Sequence, residues 1–200
     1  MKSLLVIILM NFAILPHRFV FAQVGPHMRH IKNERGLHII SNEPGNYFSI
    51  RIEGTAAARL HTPKKYWYTV DGIRFEFYSE ENAKFVMTDV PQLDDVVVLR
   101  LYRSELIRRF ANLKPKIRSS WLKLANGKDA LLLSYEGRPA SPVPVTDRQL
   151  FIVITGPMHV FGLFAPVLTG QTEAQVRRVL IRTLGTFAFR DEPIDISSPE

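Results

Sequence analysis

The dipeptide Asp71-Gly72 constrains the fold of this chain more than any other feature. It separates Tyr66-Trp67-Tyr68-Thr69-Val70 from Ile73-Arg74-Phe75-Glu76-Phe77-Tyr78. Asp-Gly supplies the two positive φ angles of a two-residue hairpin turn, so the arms pair antiparallel. In the second arm Ile73, Phe75 and Phe77 alternate with Arg74, Glu76 and Tyr78, which predicts one buried face and one wet face. The pattern recurs downstream. Residues 117–124 and 129–135 flank Asn126-Gly127, and residues 148–155 and 158–165 flank Gly156-Pro157. Residues 150–154 are apolar without a break, as in a strand covered on both faces. Upstream, residues 36–40 and 47–52 are β-prone runs around the turn composition Asn42-Glu43-Pro44-Gly45, and residues 84–89 are a further candidate strand.

Two helices interrupt this series. From Ser104 onward Leu106, Phe110 and Leu113 recur at helical spacing beside Ile107, Glu105 and Arg109 stand at i,i+4, and Pro115 ends the run. The β-branched run 96–101 reads as a strand before that helix, or else as its first turns with Asp94 or Asp95 as cap; strand then helix is expected. Near the end, Thr172 and Gln175 fit a capping box, Val176, Val179, Leu180 and Leu184 share a face, and Gly185 suits the helix end. Phe187 and Phe189 predict a short closing segment. Residues 137–146 hold Pro139, Pro142 and Pro144 and read as a loop. The order predicts an antiparallel sheet with helices packed on it, the α+β class. One domain is expected over 36–190, between a loose stretch at 23–35 and a fraying tail from Asp191.

Residues 1–22 read as a cleavable secretory signal. Lys2 supplies the charge, residues 4–15 the apolar run, and Val20-Phe21-Ala22 the small-x-small site. As a membrane anchor the run is short, and Arg18 would fall inside any extended span. A periplasmic or secreted domain is therefore expected. The chain has no cysteine, so disulfides do not staple it, although export would permit them. Its formal net charge is +7, and loss of Lys2 and Arg18 with the signal leaves +5. A basic balance favours acidic partners. Outside the cytoplasm these are an acidic protein, a glycan or a lipid headgroup rather than nucleic acid.

The charge is uneven along the chain. Residues 71–95 carry seven acids against Arg74 and Lys84; residues 100–128 carry nine bases against Glu105. The basic stretch nominates Arg100, Arg103, Arg108, Arg109, Lys114, Lys116 and Arg118 as a binding face. The opposed reading is that the two segments neighbour and neutralise each other. Trp67 and Tyr68, preceded by Lys64 and Lys65, are a second candidate, able to stack on a glycan ring or meet a lipid interface unless they pack in the core.

The C-terminal half is similar to the PsbP-like and DcrB-like domains. The similarity rests on GKDALLLSYEG (127–137), RQLFIVITGPMHVFGLFAP (148–166) and TLGTFAF (183–189), with Gly127, Tyr135, Gln149, Ala165, Pro166 and Phe187 at the landmarks. It covers about a third of the chain. It implies an α-β-α sandwich that serves as a binding or accessory module and carries over no catalytic residue.

No catalytic set emerges from the residues. Ser120-Trp121-Leu122-Lys123 matches S-x-x-K, but that chemistry needs serine and lysine on one helical face, and a strand turns residues three apart to opposite faces. His27, His30 and His38 are the only histidine group with metal-ligand character, and no acid or thiol joins them. Glu80-Glu81 and Asp94-Asp95 sit at element ends. There is no phosphate loop or dinucleotide fingerprint. The expectation is an exported, non-enzymatic accessory or binding protein without metal or cofactor, acting on a protein or an anionic envelope component, with peripheral membrane contact as one form. The alternative is an exported hydrolase whose site assembles from dispersed residues.

Overall fold

The structure is a computed structural model that describes residues 28–34, 36–44, 46–54, 56–62, 65–81, 94–110, 116–137, 148–156 and 159–194. Residues 1–22, expected to be a signal, the candidate strand 84–89, the proline-rich stretch 138–146, Leu113 and Lys114 lie outside these residues.

Eleven strands and two helices follow in chain order among the described residues: β1 (Met28–Asn33), β2 (Gly36–Glu43), β3 (Asn46–Ile52), β4 (Ala56–Thr62), β5 (Lys65–Val70), β6 (Ile73–Glu81), α1 (Asp95–Phe110), β7 (Lys116–Lys123), β8 (Asp129–Glu136), β9 (Arg148–Thr155), β10 (His159–Pro166), α2 (Glu173–Leu184) and β11 (Ala188–Arg190). They form two antiparallel sheets, a four-stranded one ordered β1-β2-β3-β11 and a seven-stranded one ordered β4-β5-β6-β10-β9-β8-β7. The class is mixed α+β and mostly strand. The second sheet is a departure from the single sheet expected.

The hairpin at Asp71-Gly72 forms as its residues require, with φ of 51° and 75° at the two turn positions. β9 is buried on both faces. Leu150, Ile152 and Ile154 join the large core, while Phe151 and Val153 join the cluster under α1. The large core lies between the two sheets and α2. Phe48 of the small sheet meets Phe161 of the large one at 5.1 Å and Phe187 at 5.0 Å. On the other face, Val98, Leu99, Tyr102 and Leu106 of α1 cover Leu131, Leu133, Phe151 and Val153. Gly162 stands opposite Tyr78 in the ladder. A Cβ at Gly162 would come within 2.4 Å of the Tyr78 ring, so the missing side chain is what lets that ring lie across the strand.

Three local expectations are corrected. Residues 96–101 are helical. Asp94 Oδ1 accepts from the Val96 N–H at 2.9 Å, and the Asp94 carbonyl accepts from Val97 and Val98. Burial of Val98 and Leu99 against the sheet outweighs the weak preference of valine for strands. Residues 28–33 are a strand rather than a loose stretch. The ladder with β2 uses backbone groups that a polar composition leaves intact, and His30 reaches inward to Tyr68. The start of the tail is held as well: Asn42 donates to the Ile194 carbonyl at 2.9 Å and accepts from its N–H at 2.8 Å.

Candidate functional site

The nine residues nominated from sequence do not form one surface. Tyr68 is fully buried. Its hydroxyl is 2.8 Å from His30 Nε2, and its ring stacks on Phe75 at 5.7 Å. It belongs to the core and is not available as a surface binding residue. Trp67 lies on the opposite side of β5, half-buried, with the Arg74 guanidinium 4.7 Å from its ring centre. One ring face therefore already holds a cation.

The basic stretch divides by geometry. Opposite residues of an antiparallel pair share a face. Arg118 stands opposite Ser134 and Lys116 opposite Glu136, whereas Ser119 and Trp121 stand opposite Leu133 and Leu131. Leu131 and Leu133 belong to the cluster under α1. Lys116 and Arg118 therefore project to the face away from α1, and Ser119, Trp121 and Lys123 to the face that carries it. Arg103 joins the latter group, its Nε donating to Ser119 Oγ at 2.9 Å. Arg108 turns instead to Glu105, with bonds of 2.8 and 2.7 Å from Nε and Nη2. That hydrogen bond first, and the carboxylate charge second, raise the guanidinium pKa above its ordinary value. The pairing expected for Glu105 was with Arg109, whose side chain, like Lys114, lies outside the described residues.

Two contacts fix how α1 runs along the edge strand. Asp95, at its start, pairs with Lys128 Nζ at 3.7 Å, beside the β7–β8 turn. Arg103, two turns later, meets Ser119. α1 therefore runs antiparallel to β7. Trp121 is about 7 Å along the strand from Ser119 on the same face, and the exposed Arg100 stands at i,i+3 to Arg103 on α1. Val97 and Trp121 are the large apolar side chains left exposed among the described residues, at 38% and 43%. The result is a ledge of Arg100, Arg103, Trp121 and Lys123. Lys123 also pairs with Asp129 at 3.1 Å.

Sequence reasoning passed over Trp121, taking it as a hairpin residue. The signal was present in Lys-Ile-Arg-Ser-Ser-Trp-Leu-Lys, where neither alternate set is apolar throughout. Such a strand has no fully buried face and must stand at an edge.

The other chemistry is settled by placement. Ser120 and Lys123 point to opposite faces of β7, so the amine does not reach the hydroxyl as a base. Asp94 caps α1 and Asp95 pairs with Lys128, so they do not act as a carboxylate pair. His30 and His38 occupy opposite faces of the small sheet, since His30 stands opposite the core residue Ile39 and His38 opposite Ile31. Among the described residues no three acids or histidines converge as metal ligands, and no helix is long and apolar enough to cross a membrane. What the ledge offers chemically is cations beside an open aromatic face. No model of a protein family matches the chain, and no curated protein matches it significantly.

Proposed function

We propose that this protein is an exported accessory domain that binds an anionic partner in the cell envelope or outside the cell through the ledge of α1 and β7. The observation that carries the reading is Trp121, exposed at an edge strand between Arg103 and Lys123. Exposed Trp and Arg together are the composition of binding hot spots, whereas exposed apolar side chains scattered singly are ordinary on a protein surface. Export is supported by the charge, apolar run and small-x-small order of residues 1–22. The likeness of 127–189 to PsbP-like and DcrB-like domains belongs to the same proposal, and a sheet with a helix on each face is in keeping with it.

Charge reversal tests the ledge. Arg100→Glu, Arg103→Glu and Lys123→Glu together should abolish retention of envelope components at moderate salt. Arg177→Glu, Arg178→Glu and Arg190→Glu change the net charge equally at other sites and should leave retention intact. Equal loss from both triple variants would reduce the effect to net charge and remove the ledge as the site.

A further inference from the structure

The sheets end in four edges, and the protein treats them differently. β4 has a register shift between Leu60 and Thr62, an irregularity that spoils an edge as a template. β11 is three residues long and β1 six. β7 is eight residues long. Its register with β8 runs unbroken from Lys116↔Glu136 to Lys123↔Asp129, and among the described residues no strand pairs with its outer side. Alternate backbone N–H and C=O groups therefore face outward in a regular row.

The side chains define what such a row accepts. One face presents Lys116, Arg118, Ser120 and Leu122, the other Ile117, Ser119, Trp121 and Lys123. Lys116, Arg118, Trp121 and Lys123 are exposed, and the strand holds no acid. A second copy pairing antiparallel about the strand centre would set Lys116 against Lys123, and like charges directly across a ladder are destabilising. An acidic strand meets the opposite sign at three positions.

Resting on the accessory-domain reading above, we infer that the outer edge of β7 takes an extended acidic peptide segment as an additional strand. The ladder supplies affinity, and the alternating side chains set register. For antiparallel addition the complementary octapeptide reads acid, any, aromatic, any, any, acid, any, acid. Its acids fall across Lys123, Arg118 and Lys116, and its aromatic residue falls across Trp121.

The probe is the synthetic peptide Glu-Thr-Tyr-Thr-Thr-Glu-Val-Glu, titrated into the purified protein and followed by backbone amide shifts. Two N-methylated forms, one at the odd and one at the even positions, separate strand addition from charge attraction. Only every second peptide N–H points at the receiving strand. One form should therefore lose binding while the other keeps it, with the largest shifts on β7. Replacing the glutamates by lysines should abolish binding. Trp121→Ala should weaken it about threefold, as expected for loss of one cross-strand aromatic pair. Equal binding by the two methylated forms, or none by the unmethylated peptide, overturns the inference. Binding to phosphatidylethanolamine–phosphatidylglycerol vesicles without peptide binding sinks strand addition but leaves the accessory reading standing. Failure of peptide, vesicles and envelope extract alike removes both.

Discussion

The two faces of the seven-stranded sheet are held by unequal cores. On one face the small sheet, α2 and the strands enclose a continuous cluster with stacked and tilted phenylalanines at its centre, Phe48, Phe77, Phe161 and Phe187. On the other face a single helix, α1, sits on a smaller cluster around Leu99, Leu131 and Val153. The large core ties together segments distant in sequence. The proposed binding ledge belongs to the smaller one. Layers held by fewer buried contacts open at lower free energy, so the face that carries the proposed ledge is the one whose local opening should be easiest.

Truncation in the two cores is the strongest way to break this comparison. Phe161→Ala removes a fully buried ring and should cost about 3–5 kcal/mol, read by denaturant unfolding, with both helices losing protection together. Leu99→Ala, equally buried, should cost about 2–5 kcal/mol. Its distinguishing result is local, with faster hydrogen exchange in α1 and little change in α2. Uniform exchange in that variant would show one cooperative unit and erase the distinction between the layers.

The helix caps sharpen the comparison at smaller cost. α2 has a full capping box, Thr172 Oγ1 accepting from the Gln175 N–H at 3.2 Å and Gln175 Oε1 from the Thr172 N–H at 2.8 Å. α1 has the single bond from the Val96 N–H to Asp94. Thr172→Ala and Asp94→Ala should each cost about 1 kcal/mol. The Asp94 variant should fray α1 at its start, visible as faster exchange at Val97 and Val98, while the Thr172 variant leaves those amides unchanged.

The smallest effect is one of pH. Burial lowers the pKa of His30 below its ordinary value of 6.5. The unfolded chain then takes up a proton before the folded one does as pH falls. Stability from this site is complete above about 6.5 and declines as pH drops from there toward the lowered folded value. His30→Gln should flatten that part of a stability profile measured by urea midpoint; an unchanged slope would assign it to other groups.

Much of this architecture is legible locally. Asp71-Gly72 dictates its hairpin because few dipeptides accept two positive φ angles. Thr172 and Gln175 mark the start of α2 because they satisfy its first backbone N–H groups. The unbroken apolar run of β9 announces a strand buried on both faces, since apolar side chains on both sides of a pleat each need cover. The S-x-x-K motif is disarmed by strand alternation alone. These features depend on neighbours within a few residues, which a sequence displays directly.

Other features were decided between distant residues. Val96 to Leu101 became helix because a sheet surface of Leu131, Val153 and Phe151 was there to receive Val98 and Leu99. The polar run 28–33 became a strand because β2 offered it a ladder. Tyr68 lies on the core face of β5 with Val70 and meets His30, while Trp67, its neighbour, faces the other way beside Arg74. The nine bases between 100 and 128 look continuous in sequence, yet the pleat of β7 sends Lys116 and Arg118 one way and Lys123 the other, and Glu105 claims Arg108. By itself the sequence determined where the turns, the capped helix and the doubly buried strand lie, because local geometry and the demand for cover act over short range. Only the tertiary structure decided which charges share a surface and that Trp121 stands open among them, because sheet order and helix docking set which side chains meet solvent together.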